Sequence, residues 1–153
     1  MTDLSGTPTE AVSRARTHRE RLAAAADELE AAVTRPAGDP AAWKRVVADA
    51  LVGVSDALAD HISEAERPDG LYQEILERSP RLAHDIARLR ADHDDLRRRI
   101  AEIEPMLPSP AAPSQIESIR ERVVELLAEI SRHRHRGADL IWDSYQFDIG
   151  AGD

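Results

Sequence analysis

Between Leu82 and Ile103 the apolar residues Leu82, Ile86, Leu89, Leu96, Ile100 and Ile103 follow spacings of three and four or their sum. That period lays them along one stripe of an α-helix. The polar member of the stripe, between Leu89 and Leu96, is His93. Three other segments show the same period, and each carries one histidine on its apolar stripe. Any reading of this chain has to explain those four histidines.

The breaks between the periodic segments give the architecture. Residues 1–8 read as a loose leader. Thr9 is the expected N-cap of a first helix over about 9–34, with the stripe Ala15, His18, Leu22, Ala25, Leu29 and Ala32 or Val33. Arg35-Pro36-Ala37-Gly38-Asp39-Pro40 breaks it, and Asp39-Pro40 opens the next as N-cap and first-turn proline. This second helix, about 40–66, has the stripe Val47, Leu51, Val54, Leu58, His61 and Ala65 before Pro68 and Gly70. A short helical segment is expected over 71–78, and Ser79-Pro80 should start the third helix, about 80–104. Four prolines within 105–113 can only be a connection. Ser114 then caps a fourth helix, about 114–149, with the stripe Ile116, Ile119, Val123, Leu126, Ile130, His133, Gly137, Leu140, Ser144 and Phe147. Four long helices with short or moderate connections predict an all-α, up-down-up-down four-helix bundle over 9–149.

Composition agrees. The 153 residues suffice for one domain with a real core. They are rich in Ala, Leu, Arg, Glu and Asp, and no run reads as alternating strand. A formal charge of −9 argues against nucleic acid or an anionic membrane as partner. The absence of cysteine excludes disulfides and thiolate metal sites. No apolar run reaches the ~18 residues of a membrane span, and Met1 to Gly6 lack the features of a signal peptide, so the cytoplasm is the expected location. Abundant Ala, Arg and Asp with little Lys suggest a GC-rich, bacterial source.

Of the six histidines, His18, His61, His93 and His133 lie on stripes. His84 and His135 are displaced by about 180° and about 200° from the stripe histidine of their helix and should point outward. His18 leaves about 16 residues to its helix end, and His61 and His133 lie about 20 residues into theirs; at about 1.5 Å per residue these three share a level. His93, about 11 residues before Pro105, reaches that level only if the connection adds height. A single stripe histidine is more often a satisfied core residue than a ligand. Four of them, one per helix, would be costly to bury unpaired, and shared ligation of a metal or cofactor accounts for that cost.

Ala15-Arg16-Thr17-His18-Arg19-Glu20-Arg21-Leu22, Asp60-His61-Ile62-Ser63-Glu64-Ala65-Glu66 with Gly70-Leu71-Tyr72, and Leu89-Arg90-Ala91-Asp92-His93-Asp94-Asp95-Leu96 together resemble the hemerythrin-like family of cation-binding bundles. The family pattern is one His on the first helix, His-x-x-x-Glu on the second, one His on the third and His-x-x-x-Glu or similar on the fourth. The resemblance covers about residues 10–145. It implies a hemerythrin-like bundle with His18, His61, His93 and His133 as metal ligands and non-haem iron as the family's metal. The family's carboxylates fall here on Ala65 and Gly137, and a further helix-three ligand on Arg97. Glu64, three residues after His61, is the candidate replacement, whereas Glu66 and Asp139 read as solvated surface.

Several expectations follow. The first is a His-rich interior site for iron or another transition metal, serving sensing, storage or small-molecule binding; neutral imidazoles suit zinc, copper, nickel or ferrous iron. A metal-free bundle kept as a protein-interaction module is the alternative, and a haem gripped by two axial histidines is the third. No phosphate-cradling loop, metalloprotease run or nucleophile elbow is present, so an enzyme is the weakest reading. The arginine runs at 97–99 and 132–136 read as a charged outer face. Trp142, Tyr145 and Phe147 should cap one end of the core, or else line the histidine pocket or a homodimer contact.

Overall fold

The computed structural model describes residues 9–108 and 113–150, the side chains of 113–114 and 147–150 excepted. The leader and the Phe147 side chain therefore lie outside the described residues, and Ser114, expected as an N-cap, instead lies inside the last helix, which already includes Pro113. Helix α1 spans Glu10–Thr34, α2 Pro40–Glu66, α3 Leu71–Arg78, α4 Ala83–Ile103 and α5 Pro113–Gly150. The four long helices close a ring, α1 against α2 and α5, and α4 against α5 and α2. This is the expected antiparallel bundle. Among the described residues no helix is long and apolar enough to cross a membrane.

The caps explain where the helices begin. The Thr9 hydroxyl accepts the Val12 amide at 3.3 Å, and the Asp39 carboxylate accepts that of Ala42 at 3.2 Å ahead of Pro40. The end of α1 is held from across the bundle: the Arg120 guanidinium donates to the Val33 and Arg35 carbonyls at 3.2 and 3.0 Å and lies over the Trp43 ring. The third long helix departs from expectation at its start. Pro80–Leu82 form a 3-10 turn, and the Ser79 side chain makes no cap. Instead the Ser79 amide donates to the Ile75 carbonyl, closing α3 before α4 begins.

Every expected stripe residue whose side chain is described is buried except His18 and Gly137, which are half-buried. Among the described residues the buried apolar side chains other than Ala11 fall into two clusters. The larger runs from Leu22 through Trp43, Leu58, Leu96 and Ile103 to Leu126 and Ile130. The smaller gathers Val12, Ala15, Ala65, Leu71, Tyr72, Ile75, Leu82, Ile86, Leu89 and Leu140 under α3. His61, His93 and His133 lie on the stripes between the two. The C-terminal aromatics do not cap the core together. Trp142 is 63% exposed, while half-buried Tyr145 packs on the smaller cluster beneath the Arg78 guanidinium.

Deleting part of the larger cluster should be expensive, because its side chains are enclosed on all sides. Leu126→Ala, at a side chain with no exposure, is expected to lower the unfolding free energy by about 2–5 kcal/mol in urea denaturation. A loss well below about 1 kcal/mol would show that this layer is not tightly packed.

Candidate metal centre

The end of α2 carries His61, Glu64, Ala65 and Glu66 on its last two turns. The chain then reverses tightly through Arg67–Gly70, where the Gly70 amide donates to the Arg67 carbonyl at 2.9 Å. A Cβ on Gly70 would lie 2.3 Å from the Glu64 carbonyl oxygen, so only glycine fits this close approach. The reversal starts α3 and brings Tyr72 over the His93 imidazole, with ring centroids 6.0 Å apart and planes 15° from parallel.

Three imidazoles converge from α2, α4 and α5. His61 Nε2 lies 3.1 Å from His133 Nε2, and His93 Nε2 lies 3.2 Å from the same atom. All three residues are buried, His93 to 1% exposure. Two nitrogens bound to one ion at about 2.0–2.1 Å and at right-angled to tetrahedral bond angles would be about 2.8–3.4 Å apart. The observed separations lie within that interval.

The outer nitrogens decide the protonation state. His93 Nδ1–H donates to Glu66 Oε1 at 3.2 Å, and His133 Nδ1–H donates to Asp92 Oδ2 at 3.0 Å. A carboxylate can only accept, so each bond assigns the proton to Nδ1 and leaves a lone pair on Nε2. Carboxylate backing of this kind fixes ring orientation and raises ligand basicity. Asp92 is itself held by Arg136 through bonds of 3.0 and 2.9 Å, and Glu66 lies 3.9 Å from Arg90. The Tyr72 hydroxyl donates to His93 Nε2 at 3.3 Å. His61 Nδ1 is buried with no hydrogen-bond partner among the described residues.

Two neutral lone pairs facing each other at 3.2 Å repel, and burial blocks the simple remedy of adding a proton. Burial, with the neighbouring imidazoles second, pushes His61 down to about 3 and His93 down to about 2. Burial also lowers His133, against the opposing pull of Asp92. A cation bound between the three Nε2 atoms would relieve the repulsion. The donor set therefore fits a metal ion.

The sequence-predicted residues divide. His61, His93 and His133 form the group whose donor atoms all lie within 4.8 Å of one another. His18 is not part of it; it is half-buried, and its Nδ1 has no partner among the described residues. Glu64 is buried but turned to other partners, taking Arg14 at 2.6 Å and Arg67 at 3.3 Å. His84, His135 and Arg97 are exposed, as their positions require. Glu66, expected on the solvated surface, instead orients His93. Asp92 and Tyr72 were not expected in the site. Ala65 and Gly137, where the family pattern has carboxylates, border with His61, His133 and Tyr72 a cavity of about 20 Å³, the room of about one water molecule.

A pH dependence follows for the metal-free protein. In the unfolded chain His61 and His93 titrate near 6.5, and in the folded chain near 3 and 2. The unfolded state thus binds more protons below pH 6.5, and stability present above that pH is lost as pH falls toward the folded values. In chelator, urea midpoints should drop between pH 7 and 5 with a slope of up to about 1.4 kcal/mol per pH unit per histidine, and His93→Leu should flatten the dependence. Equal stability at both pH values would contradict burial of neutral imidazoles.

Comparison with curated proteins returned no match, and comparison with solved structures returned none. The Hemerythrin HHE cation binding domain model matches residues 11–137. The bundle, the histidine layer and this match together place the chain in the hemerythrin HHE cation-binding domain family.

Proposed function

We propose that this protein binds a single transition-metal ion through the Nε2 atoms of His61, His93 and His133 and uses it for sensing, storage or binding of a small molecule. The observation that carries this reading is the approach of three Nε2 atoms at 3.1 and 3.2 Å, two of them with Nδ1 committed to carboxylates. An all-nitrogen triad suits ferrous iron, zinc, copper or nickel. Ala65 and Gly137 leave no bridging carboxylate for a second ion, which supports one ion over a pair. The small cavity has no room for a macrocycle, which supports a bare ion over haem. The absence of a membrane-spanning helix among the described residues agrees with action in the cytoplasm.

Metal titration with a competing chelator tests the reading. Wild-type protein should take up about one ion per chain in the buried site, as the geometry of one tridentate triad dictates. His93→Ala or His133→Ala should abolish tight uptake, while His84→Ala with His135→Ala should leave it intact. Asp92→Asn, which removes the charged acceptor behind His133, should weaken affinity about 10–100-fold. Undiminished uptake in a variant lacking all three buried histidines would overturn the assignment.

A further inference from the structure

We infer that the Tyr72 oxygen is the fourth protein ligand of the ion, and that it supplies the anionic oxygen that Ala65 and Gly137 no longer provide. This rests on the reading that the triad holds an ion. In the structure Tyr72 is 3% exposed and its hydroxyl donates to His93 Nε2 at 3.3 Å. An ion on that nitrogen takes the lone pair to which the hydroxyl donates. Metal binding thus orphans a buried O–H, and an orphaned buried donor is costly. Coordination of the oxygen removes the orphan: an ion–oxygen bond forms as the O–H bond breaks, and the proton leaves to solvent.

Position and elimination support the same oxygen. The Tyr72 oxygen stands 3.3 Å from His93 Nε2, close to the 3.1 and 3.2 Å between the nitrogens, as a further ligand around one centre would. It borders the same cavity as His61 and His133. Glu66 and Asp92 approach the histidines at Nδ1, the side away from the convergence, and Glu64 is taken by Arg14 and Arg67. Arg90 lies over the Tyr72 ring at 5.6 Å.

A ferric phenolate absorbs visible light through charge transfer from ring to metal, and an all-histidine ferric site does not. The probe is ferrous iron, one equivalent added anaerobically to full-length protein and oxidised with ferricyanide. Wild-type protein should show the band with resonance-enhanced tyrosine ring vibrations. Tyr72→Phe should lose both while still holding about one iron per chain, the stoichiometry of the triad alone. Tyr145→Phe, at the one other tyrosine, should keep them. A wild-type protein that holds ferric iron without the band, or a band that survives Tyr72→Phe, overturns the inference and leaves Tyr72 a hydrogen-bond donor. Failure of wild-type protein to retain iron, zinc or copper at all would overturn the metal reading itself, and the tyrosine ligand with it.

Discussion

A close contact at the centre of this molecule is between atoms that repel. Glu66 and Asp92 each hold a proton on the far nitrogen of a histidine, and so turn two lone pairs toward each other 3.2 Å apart. Burial disfavours imidazolium throughout the layer, and the Tyr72 hydroxyl donates its proton to His93 Nε2. Much of the local architecture serves to keep this arrangement. The reversal at Gly70 brings in Tyr72, Arg136 clamps Asp92, and Arg90 stands beside Glu66. Each of these contacts crosses from one helix to another or fixes a residue that does.

The carboxylates of the site have moved outward. The family pattern has acids four residues after the histidines of the second and fourth helices, and here those places hold Ala65 and Gly137. The acids that matter stand behind the imidazoles instead. An acid in that place does not bond the ion; it sets which nitrogen is free and makes that nitrogen a stronger donor.

The fold was legible because it rests on period and punctuation. The stripes of all four long helices, the caps at Thr9 and Asp39 and the break at Pro105 are local signals, and local geometry obeyed them. The site was legible only in part. Counting residues from helix ends favoured His18 over His93, yet the structure gathers His93 and leaves His18 aside. The count stopped at Pro105, whereas α4 ends at Ile103 and the chain then continues as a 3-10 turn that buries Leu107 on the larger cluster, which adds height beyond the helix itself. Glu66 and Asp92 were illegible for another reason. Each serves a histidine on a different helix, and no spacing within one helix reveals which neighbour lies across from it. Glu64, expected as a replacement ligand, is buried but pairs with Arg14 of α1, fifty residues earlier.

The histidine layer also divides the interior, with the larger apolar cluster on one side and the smaller one under α3 on the other. Two apolar bodies joined through a polar seam need not melt together. The smaller one, with an eight-residue helix as its lid, is the natural candidate to open by itself while the rest of the bundle stands. An ion bonded to α2, α4 and α5 would stitch that seam, and the binding free energy of a site formed only in the folded chain adds to the stability of the folded state. The metal would then set the mobility of one end of the bundle, visible as slowed amide exchange in α3 and the first turns of α1. Occupancy of the centre would be broadcast at the surface as order, with no movement of the four long helices.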